Sequence, residues 1–395
     1  MHPLAESDRP IAPSNRIASI DIVRGIALFG VVAINVVTEF RVSIFEQFLP
    51  ARMNEPWFDR ALQSILMVGI DLKALALFSL LFGVGLAIQY DHLCANSRRM
   101  TLLVRRLAFL LVIGGFHLVL IWNGDILLEY AIAGFIVLAF LSCSARLVIV
   151  AGISVLAFFI AAPFLPPVAS LPSASWMTQH IAEAARSYGS GGFTEVLAFR
   201  VRELPAFAPL HVLIFPRTVA LMLIGVAAWR WGLLRRGSQA NSYLPLVAIV
   251  GISVGGSLTV ALANEFLQLG WKAKLSLDRF GTVLLACGYG AAIIWASDKP
   301  SPQRFLAWAA PVGRMAFTNY LTQSLTFGWI FYGYGLGLFA KLGVAASLAI
   351  GIVVYVMQAA FSAFWLLKYN YGPVEWLWRS VMYATWQPFR RLKAY

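Results

Sequence analysis

Long apolar segments recur along the whole chain and alternate with linkers that carry most of its charged residues. About ten of these segments reach the roughly 20 residues that a helix needs to cross a bilayer. They occupy residues 18–40, 71–91, 102–122, 126–143, 147–165, 211–233, 243–264, 279–297, 308–331 and 343–367. The pattern predicts an all-α fold, a polytopic membrane-embedded helical bundle of about ten transmembrane helices within residues 16–368.

The remaining segments predict three further parts of the molecule. Residues 1–15, with three prolines and mixed charges, predict a disordered N-terminal tail. The 166–210 linker is the longest, is rich in Pro, Ser and Gly, and predicts an amphipathic helix around Trp176–Tyr188. It is either a plain connector or a lid. Residues 369–395 predict an interfacial C-terminal helix and basic tail, acting as an anchor or as a gate.

Positive charges mark one set of linkers and both chain ends. They are Arg9, Arg16, Arg98, Arg99, Arg105, Arg106, Arg146, Arg230, Arg235, Arg236, Lys299, Arg304, Lys368, Arg379, Arg390, Arg391 and Lys393. Because Lys and Arg are enriched on the cytoplasmic side of membrane proteins, both termini are expected to be cytoplasmic. The 166–210 linker then faces the opposite side.

Composition supports the membrane assignment. Hydrophobic residues make up 60% of the chain and charged residues 12%, which exceeds what a soluble core would bury. The net charge of +13 is explained by anionic lipid headgroups, so the lipid bilayer is the expected partner and nucleic acid is not. Three distant cysteines and the absence of nucleotide, haem or zinc motifs argue against metal-dependent, redox or ATP-driven chemistry.

The first span carries polar residues along one face. Asp21, Arg24 and Asn35 fall within an arc of about 60° on an ideal helix. Such residues are costly inside a membrane unless they face protein or water. They therefore indicate a functional interior.

One candidate site lies toward the extracytoplasmic side. His117 has the chemistry of a general base for an alcohol or amine acceptor, and Asp125 is placed to orient its other ring nitrogen. Asn35 and Arg217 are candidates to stabilise an oxyanion. Alternatively, His117 bonds a neighbouring helix and Asp125 is only an N-cap. Asp71 and Lys73 predict a local charge pair.

A second candidate site lies toward the cytoplasm. Asp21, Arg24 and Arg314 are its predicted substrate-binding residues. Arg105 and Arg106 are predicted to hold the phosphates of an acyl-CoA or of a polyprenyl-phosphate lipid. A polar stripe on the ninth span favours a water-accessible cavity over simple interhelical bonding. The stripe consists of Arg314, Thr318, Asn319, Thr322, Gln323 and Thr326, of which Asn319 and Gln323 are further candidates for substrate contact.

Several motifs in order along the chain resemble the YeiB-like family of bacterial inner-membrane proteins. They are Ser19, Asp21, Arg24 and Gly25 with Asn35; Leu81-Phe82-Gly83-Val84-Gly85; Arg105-Arg106 with Gly114 and His117; Gly124-Asp125-Ile126-Leu127 with Tyr130-Ala131; Gly313-Arg314 with Asn319-Tyr320 and Gln323-Ser324; and Tyr371-Gly372-Pro373-Val374-Glu375-Trp376-Leu377-Trp378-Arg379 with Tyr383. The resemblance implies a bacterial inner-membrane location and a domain of unknown function.

The first-span motif is also similar to that of the wider transmembrane acyltransferase group, which includes the heparan-glucosaminide acetyltransferase type. That resemblance implies transfer of an acyl group from a cytoplasmic donor, such as acyl-CoA, to an extracytoplasmic or lipid-linked acceptor, with no permanently bound cofactor. Many members of that group have a histidine near the outer end of the first span, whereas this chain has Asn35 there. A transporter of a small polar or lipid-linked solute and a non-catalytic membrane scaffold are the alternatives.

Overall fold

The computed structural model describes residues 17–50, 55–235 and 237–391, and these ranges contain helices and no β-sheet. The helices are α1 (Ala18–Asn35), α2 (Trp57–Gly69), α3 (Lys73–His92), α4 (Arg99–Phe116), α5 (Leu127–Leu138), α6 (Ala145–Ala161), α7 (Ala174–Ser190), α8 (Phe193–Arg230), α9 (Leu244–Ala263), α10 (Trp271–Ser297), α11 (Pro300–Leu306), α12 (Ala309–Arg314), α13 (Ala316–Phe331), α14 (Val344–Lys368) and α15 (Pro373–Tyr383). The predicted all-α class is confirmed. The predicted tail 1–15, together with Arg16, Arg236 and Lys393, lies outside the described residues.

Within the described ranges, eight helical segments are long and apolar enough to cross a membrane. They are Ala18–Phe40, Trp57–His92, Arg99–Ile121, Ala145–Phe164, Phe193–Arg230, Gln239–Ala263, Trp271–Ser297 and Val344–Lys368. The other two predicted spans differ from expectation. The 126–143 segment forms α5, which has only 12 residues, and the 308–331 segment is divided into α12 and α13.

Helix α1 lies at the centre of the bundle, where it packs against α3, α10, α12 and α14. Val23, Leu28 and Val31 are buried on this helix, and so is the side chain of Asp21. The contact with α12 depends on glycine, because a Cβ atom on Gly313 would lie 1.8 Å from the carbonyl oxygen of Asp21. This close approach places the start of α13 beside the polar residues of α1.

The break between α12 and α13 occurs at Met315, whose backbone leaves helical geometry (φ −111°, ψ 26°). Glu375 at the start of α15 occupies the amino end of α13. Its carboxylate accepts hydrogen bonds from the backbone N–H of Phe317 at 2.8 Å and from that of Thr318 at 3.0 Å. A carboxylate there satisfies backbone donors and complements the helix dipole, so the C-terminal helix is fixed to the bundle.

Two positions where glycine or proline can break a helix are nevertheless continuous. The Gly281–Gly290 region lies inside α10, and Pro216 with Arg217 lies inside the 38-residue α8, which contains two further prolines.

The 166–210 linker is largely helical. Its predicted amphipathic helix is present as α7, which buries Met177, His180, Ala184 and Tyr188 at helical spacing. Helix α8 already begins at Phe193, so the second part of the linker is the start of a long helix and not a loop. Met177 packs with Phe45 and Phe207, and α7 thereby covers the end of the bundle opposite α15.

Candidate functional site

A cavity of about 600 Å³ lies between α1, α3, α4, α13 and α15. It is called the arginine cavity here, because one end of it is lined by Arg24, Arg106, Arg235, Arg314 and Arg379. The rest of its wall is mostly apolar and includes Leu28, Val31, Leu81, Leu110 and Leu127. Its size is within the roughly 300–1,000 Å³ of small-molecule sites.

Two of these arginines converge from different helices. A Cβ atom on Gly85 of α3 would lie 3.1 Å from Nη2 of Arg24 and 3.8 Å from Nη2 of Arg106. Nη1 of Arg24 also lies 3.4 Å from Oδ1 of Asp21. Adjacent guanidinium groups repel each other unless an anion lies between or beside them. The arrangement is therefore suited to a phosphate or carboxylate ligand.

Arg106 is held by the C-terminal helix as well as by α3. Its guanidinium donates a hydrogen bond to Gln89 and lies 4.7 Å from the centre of the Trp378 ring. The Trp378 indole in turn donates to the backbone oxygen of Arg106 at 2.9 Å. Arg105, the other predicted phosphate ligand, is exposed and does not line the cavity. Only Arg106 of this pair is positioned for the predicted role.

In the polar stripe of α13, too, only some of the residues line the arginine cavity. Arg314 lines the cavity near Asp21, but Asn319 and Gln323 form hydrogen bonds with α14. The Asn319 amide nitrogen lies 3.0 Å from Oγ of Ser362, and that of Gln323 lies 2.7 Å from Oε1 of Gln358. These two predicted substrate contacts instead connect neighbouring helices.

The predicted histidine and aspartate of the opposite side come together. His117 begins a single π-helical turn after α4, and Asp125 lies in the short loop before α5. Nδ1 of His117 lies 2.8 Å from Oδ1 of Asp125, and both side chains are completely buried. Oδ2 of Asp125 accepts a hydrogen bond from the Leu128 N–H at 2.8 Å. The aspartate therefore accepts a backbone donor in the first turn of α5 and is also a partner of the imidazole.

Tyr320 connects this pair to the arginine cavity. Its ring centre lies 5.3 Å from that of His117, and its side chain lines the end of the cavity with Ile126 and Tyr130. Nε2 of His117 is buried and has no hydrogen-bond partner in the described part of the chain. An unpaired nitrogen at such a position is suited to receive a proton from a bound substrate.

Glu39 is a residue that the sequence analysis missed. It lies on a π-helical turn, Val36–Phe40, which continues α1. A Cβ atom on Gly124 would lie 2.1 Å from Oε2 of Glu39, so this carboxylate packs directly against the residue before Asp125. The signal was present in the sequence, since Glu39 lies 18 residues, or five ideal helical turns, after Asp21.

The two predicted oxyanion ligands do not join His117. Arg217 is buried and interacts electrostatically with Glu129 and Asp71. Glu129 also accepts a hydrogen bond from Thr218 at 2.5 Å. Asn35 is half-buried and makes no hydrogen bond through its side chain with any described residue. These contacts assign Arg217 to a separate charged cluster.

Asp71 and Lys73 interact electrostatically, as predicted for a local pair. Nζ of Lys73 also donates to the backbone oxygen of Met67 at 3.0 Å. The lysine therefore stabilises the junction between α2 and α3, where Leu72 has a left-handed backbone conformation (φ 57°). Neither side chain lines the arginine cavity.

Comparisons with known proteins agree with the motifs. The family described as Protein of unknown function (DUF418) matches residues 228–385, a region that includes Arg314, Tyr320 and Glu375. The uncharacterized protein YxaH of Bacillus subtilis (strain 168) is 30% identical over 406 residues, covering 97% of this chain and 98% of that protein. The chain belongs to the YeiB-like family.

The uncharacterized protein YeiB of Escherichia coli (strain K12) is 29% identical over 385 residues, covering 93% of this chain and 96% of YeiB. As a YeiB-like protein, the chain is a helical membrane protein whose relatives share nearly its whole length. The predicted family is confirmed. The names of the two relatives state no substrate and no reaction. Membership of the family therefore supports the helical membrane architecture alone.

Proposed function

We propose that this YeiB-like protein is a membrane acyltransferase-like enzyme of the bacterial inner membrane. In this proposal both termini are cytoplasmic. The arginine cavity binds an acyl donor that carries phosphate, from the cytoplasmic side. His117 acts as the general base for an acceptor that is extracytoplasmic or lipid-linked.

One observation carries the proposal. The arginine cavity ends at Tyr320, and Tyr320 lies against the buried pair of His117 and Asp125. A cavity that can hold an anionic group therefore lies next to a candidate base, with Tyr320 between them. An acyl chain is apolar and its carrier is anionic, which matches both parts of the cavity.

The proposed reaction is transfer of an acyl group from a thioester to a hydroxyl or amine. Nε2 of His117 takes the proton of the acceptor while its oxygen or nitrogen attacks the carbonyl carbon. The carbon–sulfur bond breaks, and the departing thiolate takes up the proton. Asp125 stabilises the imidazolium that forms between these steps, because its carboxylate lies at Nδ1.

The donor end of the cavity explains which carriers fit. Arg24 and Arg106 form one pair at Gly85, and Arg379 of α15 lines the same end. Forked guanidinium groups bind phosphate oxygens in pairs, which suits the phosphates of acyl-CoA or of a polyprenyl-phosphate lipid. The scaffold alternative is disfavoured because a scaffold has no need of such a cavity.

Binding of acyl-CoA to the detergent-purified protein, measured by calorimetry, tests this proposal. We expect saturable binding that weakens at least tenfold in Arg24→Ala and persists in His117→Ala. Arg105→Ala is the matched control, because Arg105 is exposed on the helix that carries Arg106. If the intact protein binds no acyl-CoA but binds a polyprenyl phosphate, the cavity holds a lipid-linked acceptor and the proposed donor site is wrong. If it binds neither, the proposal is wrong and transport becomes the better account.

A further inference from the structure

A second pocket, of about 230 Å³, lies between α7 and α8 at the end of the bundle opposite the arginines. We call it the α7–α8 pocket. Its lining residues are Trp176, Gln179, His180, Glu183, Phe199, Arg202 and Glu203. It shares none of them with the arginine cavity.

His180 is fixed in position on three sides. Its ring stacks on Trp176, with centres 4.4 Å apart and planes at 11°, and on Phe199, with centres 5.2 Å apart and planes at 20°. Phe45 meets the ring edge to face at 5.2 Å. An imidazole in this position has little freedom to rotate. Its two nitrogens therefore have defined surroundings.

One nitrogen of this imidazole faces a buried carboxylate. Nε2 of His180 lies 2.8 Å from Oε2 of Glu203, whose side chain is 2% exposed. Tyr188 and Asn123 both donate hydrogen bonds to the other carboxylate oxygen. Burial, followed by the nearby Glu203, raises the pKa of Tyr188 well above its ordinary value, so the phenol keeps its proton.

The contact with Glu203 links the tautomer of His180 to the availability of its second nitrogen. One oxygen of Glu203 accepts hydrogen bonds from Tyr188 and Asn123, and the other faces Nε2 of His180. In the tautomer that donates from Nε2 to this carboxylate, Nδ1 has its lone pair available. Nδ1 makes no hydrogen bond to any described residue. A ligand that bonds it must supply an N–H or O–H group.

The remaining polar groups of the pocket agree with such a ligand. Glu183 and Arg202 form an exposed ion pair, with 3.3 Å between carboxylate and guanidinium, and both line the pocket. The pair gives the pocket a polar rim with an acceptor and donors. A buried histidine and glutamate cost desolvation energy that a purely apolar contact between α7 and α8 would not incur.

From this geometry we propose that the α7–α8 pocket is a second binding site, for a small hydroxyl- or amine-bearing solute that donates a hydrogen bond to Nδ1 of His180. The site is separate from the proposed transfer reaction and does not depend on it. It is nevertheless connected to the His117 region, because Asn123 bonds Glu203 and lies two residues before Asp125.

Nitrogen NMR of the ¹⁵N-histidine-labelled full-length protein tests this site, since the chain has only five histidines. Ethanolamine and glycerol are the probes. We expect His180 to show the Nε2-protonated tautomer and its Nδ1 signal to shift in a saturable way with at least one probe. A shift with ethanolamine alone would identify an ammonium group, and a shift with both would identify a hydroxyl group.

His180→Phe keeps an aromatic ring between Trp176 and Phe199, so it is the appropriate variant for binding. Binding of the probe, measured by calorimetry, should be lost in His180→Phe and unchanged in His117→Gln. If His117→Gln loses acyl transfer but still binds the probe, the α7–α8 pocket is distinct from the proposed transfer site. An Nδ1-protonated tautomer, or no saturable shift with either probe, would overturn the inference even if His180→Phe failed to fold.

Discussion

Tyr320 and His117 lie ring against ring, with centres 5.3 Å apart, although they belong to two different parts of the molecule. Tyr320 forms one end of the arginine cavity, and its hydroxyl receives the N–H of Ile126 at 3.4 Å. His117 is completely buried behind it with Asp125. The tyrosine is thus the boundary between the proposed donor site and the proposed base.

The double role of Asp125 can be separated by two substitutions. Asp125→Asn keeps an oxygen that caps α5 but removes the negative charge beside His117, whereas Asp125→Ala removes both. We expect both variants to lose thiol release from acyl-CoA. Only Asp125→Ala should also lose about 1 kcal/mol of stability, which thermal unfolding in detergent measures. Full activity in Asp125→Asn would show that the cap is the only role.

Arg106 and Arg105 provide a matched test of the arginine cavity, because they are adjacent in sequence and only Arg106 lines it. Arg106→Gln should weaken acyl-CoA binding roughly 10- to 100-fold, since a hydrogen bond to a charged group contributes about 1.5–3 kcal/mol. Arg105→Gln should leave the dissociation constant within about twofold. Equal effects of the two substitutions would place the phosphate elsewhere.

The contact between α1 and α12 should not tolerate a side chain at Gly313. In Gly313→Ala the new methyl group would overlap the carbonyl oxygen of Asp21, so α12 must move. We expect a loss of about 1–3 kcal/mol in thermal unfolding, with weaker donor binding because Arg314 moves too. Gly115→Ala is the control, since its Cβ meets no atom within 4 Å and should be neutral or slightly stabilising.

The attachment of α15 should depend on pH through Glu375. Burial raises the pKa of this carboxyl above its ordinary value of 4.5, although the N–H and hydroxyl donors of Thr318 and the Phe317 N–H oppose the shift. The folded state therefore binds the proton more tightly than the unfolded state. The protonated Glu375 carboxyl therefore contributes its full stabilisation of the folded state below about pH 4.5. This stabilisation is lost as the pH rises through the folded-state pKa.

Glu375→Gln removes this titration. Melting temperatures measured from pH 4.5 upward should therefore fall more steeply for the wild type than for Glu375→Gln. Parallel curves for the two proteins would mean that Glu375 does not titrate between the folded and unfolded states in this range.

Local patterns predicted much of this molecule. The apolar segments identified the bundle, and the polar face of α1 placed Asp21 and Arg24 in its interior. His117 and Asp125 were candidates because of their chemistry, and they are separated by only one π-helical turn and a short loop. Their contact required no long-range information beyond that loop.

Other features depend on how distant helices meet. Asn319 and Gln323 were expected in a cavity, but the register of α14 gives them Ser362 and Gln358 as partners. The docking of Glu375 on α13 has no local signal either, because the residues are far apart in sequence. The sequence pattern shows only that a helix face is polar. The packing of the helices decides which partners form hydrogen bonds with its polar side chains.

Thiol release from acyl-CoA by the protein in proteoliposomes tests the central claim most directly, with donors from acetyl-CoA to palmitoyl-CoA and with ethanolamine or glycerol supplied as the acceptor. For at least one donor we predict release above that of protein-free vesicles. Arg106→Gln should raise the donor concentration needed for half-maximal release, and His117→Gln should abolish release while the donor still binds. No release with any donor, or equal release by the wild type and His117→Gln, would contradict the account.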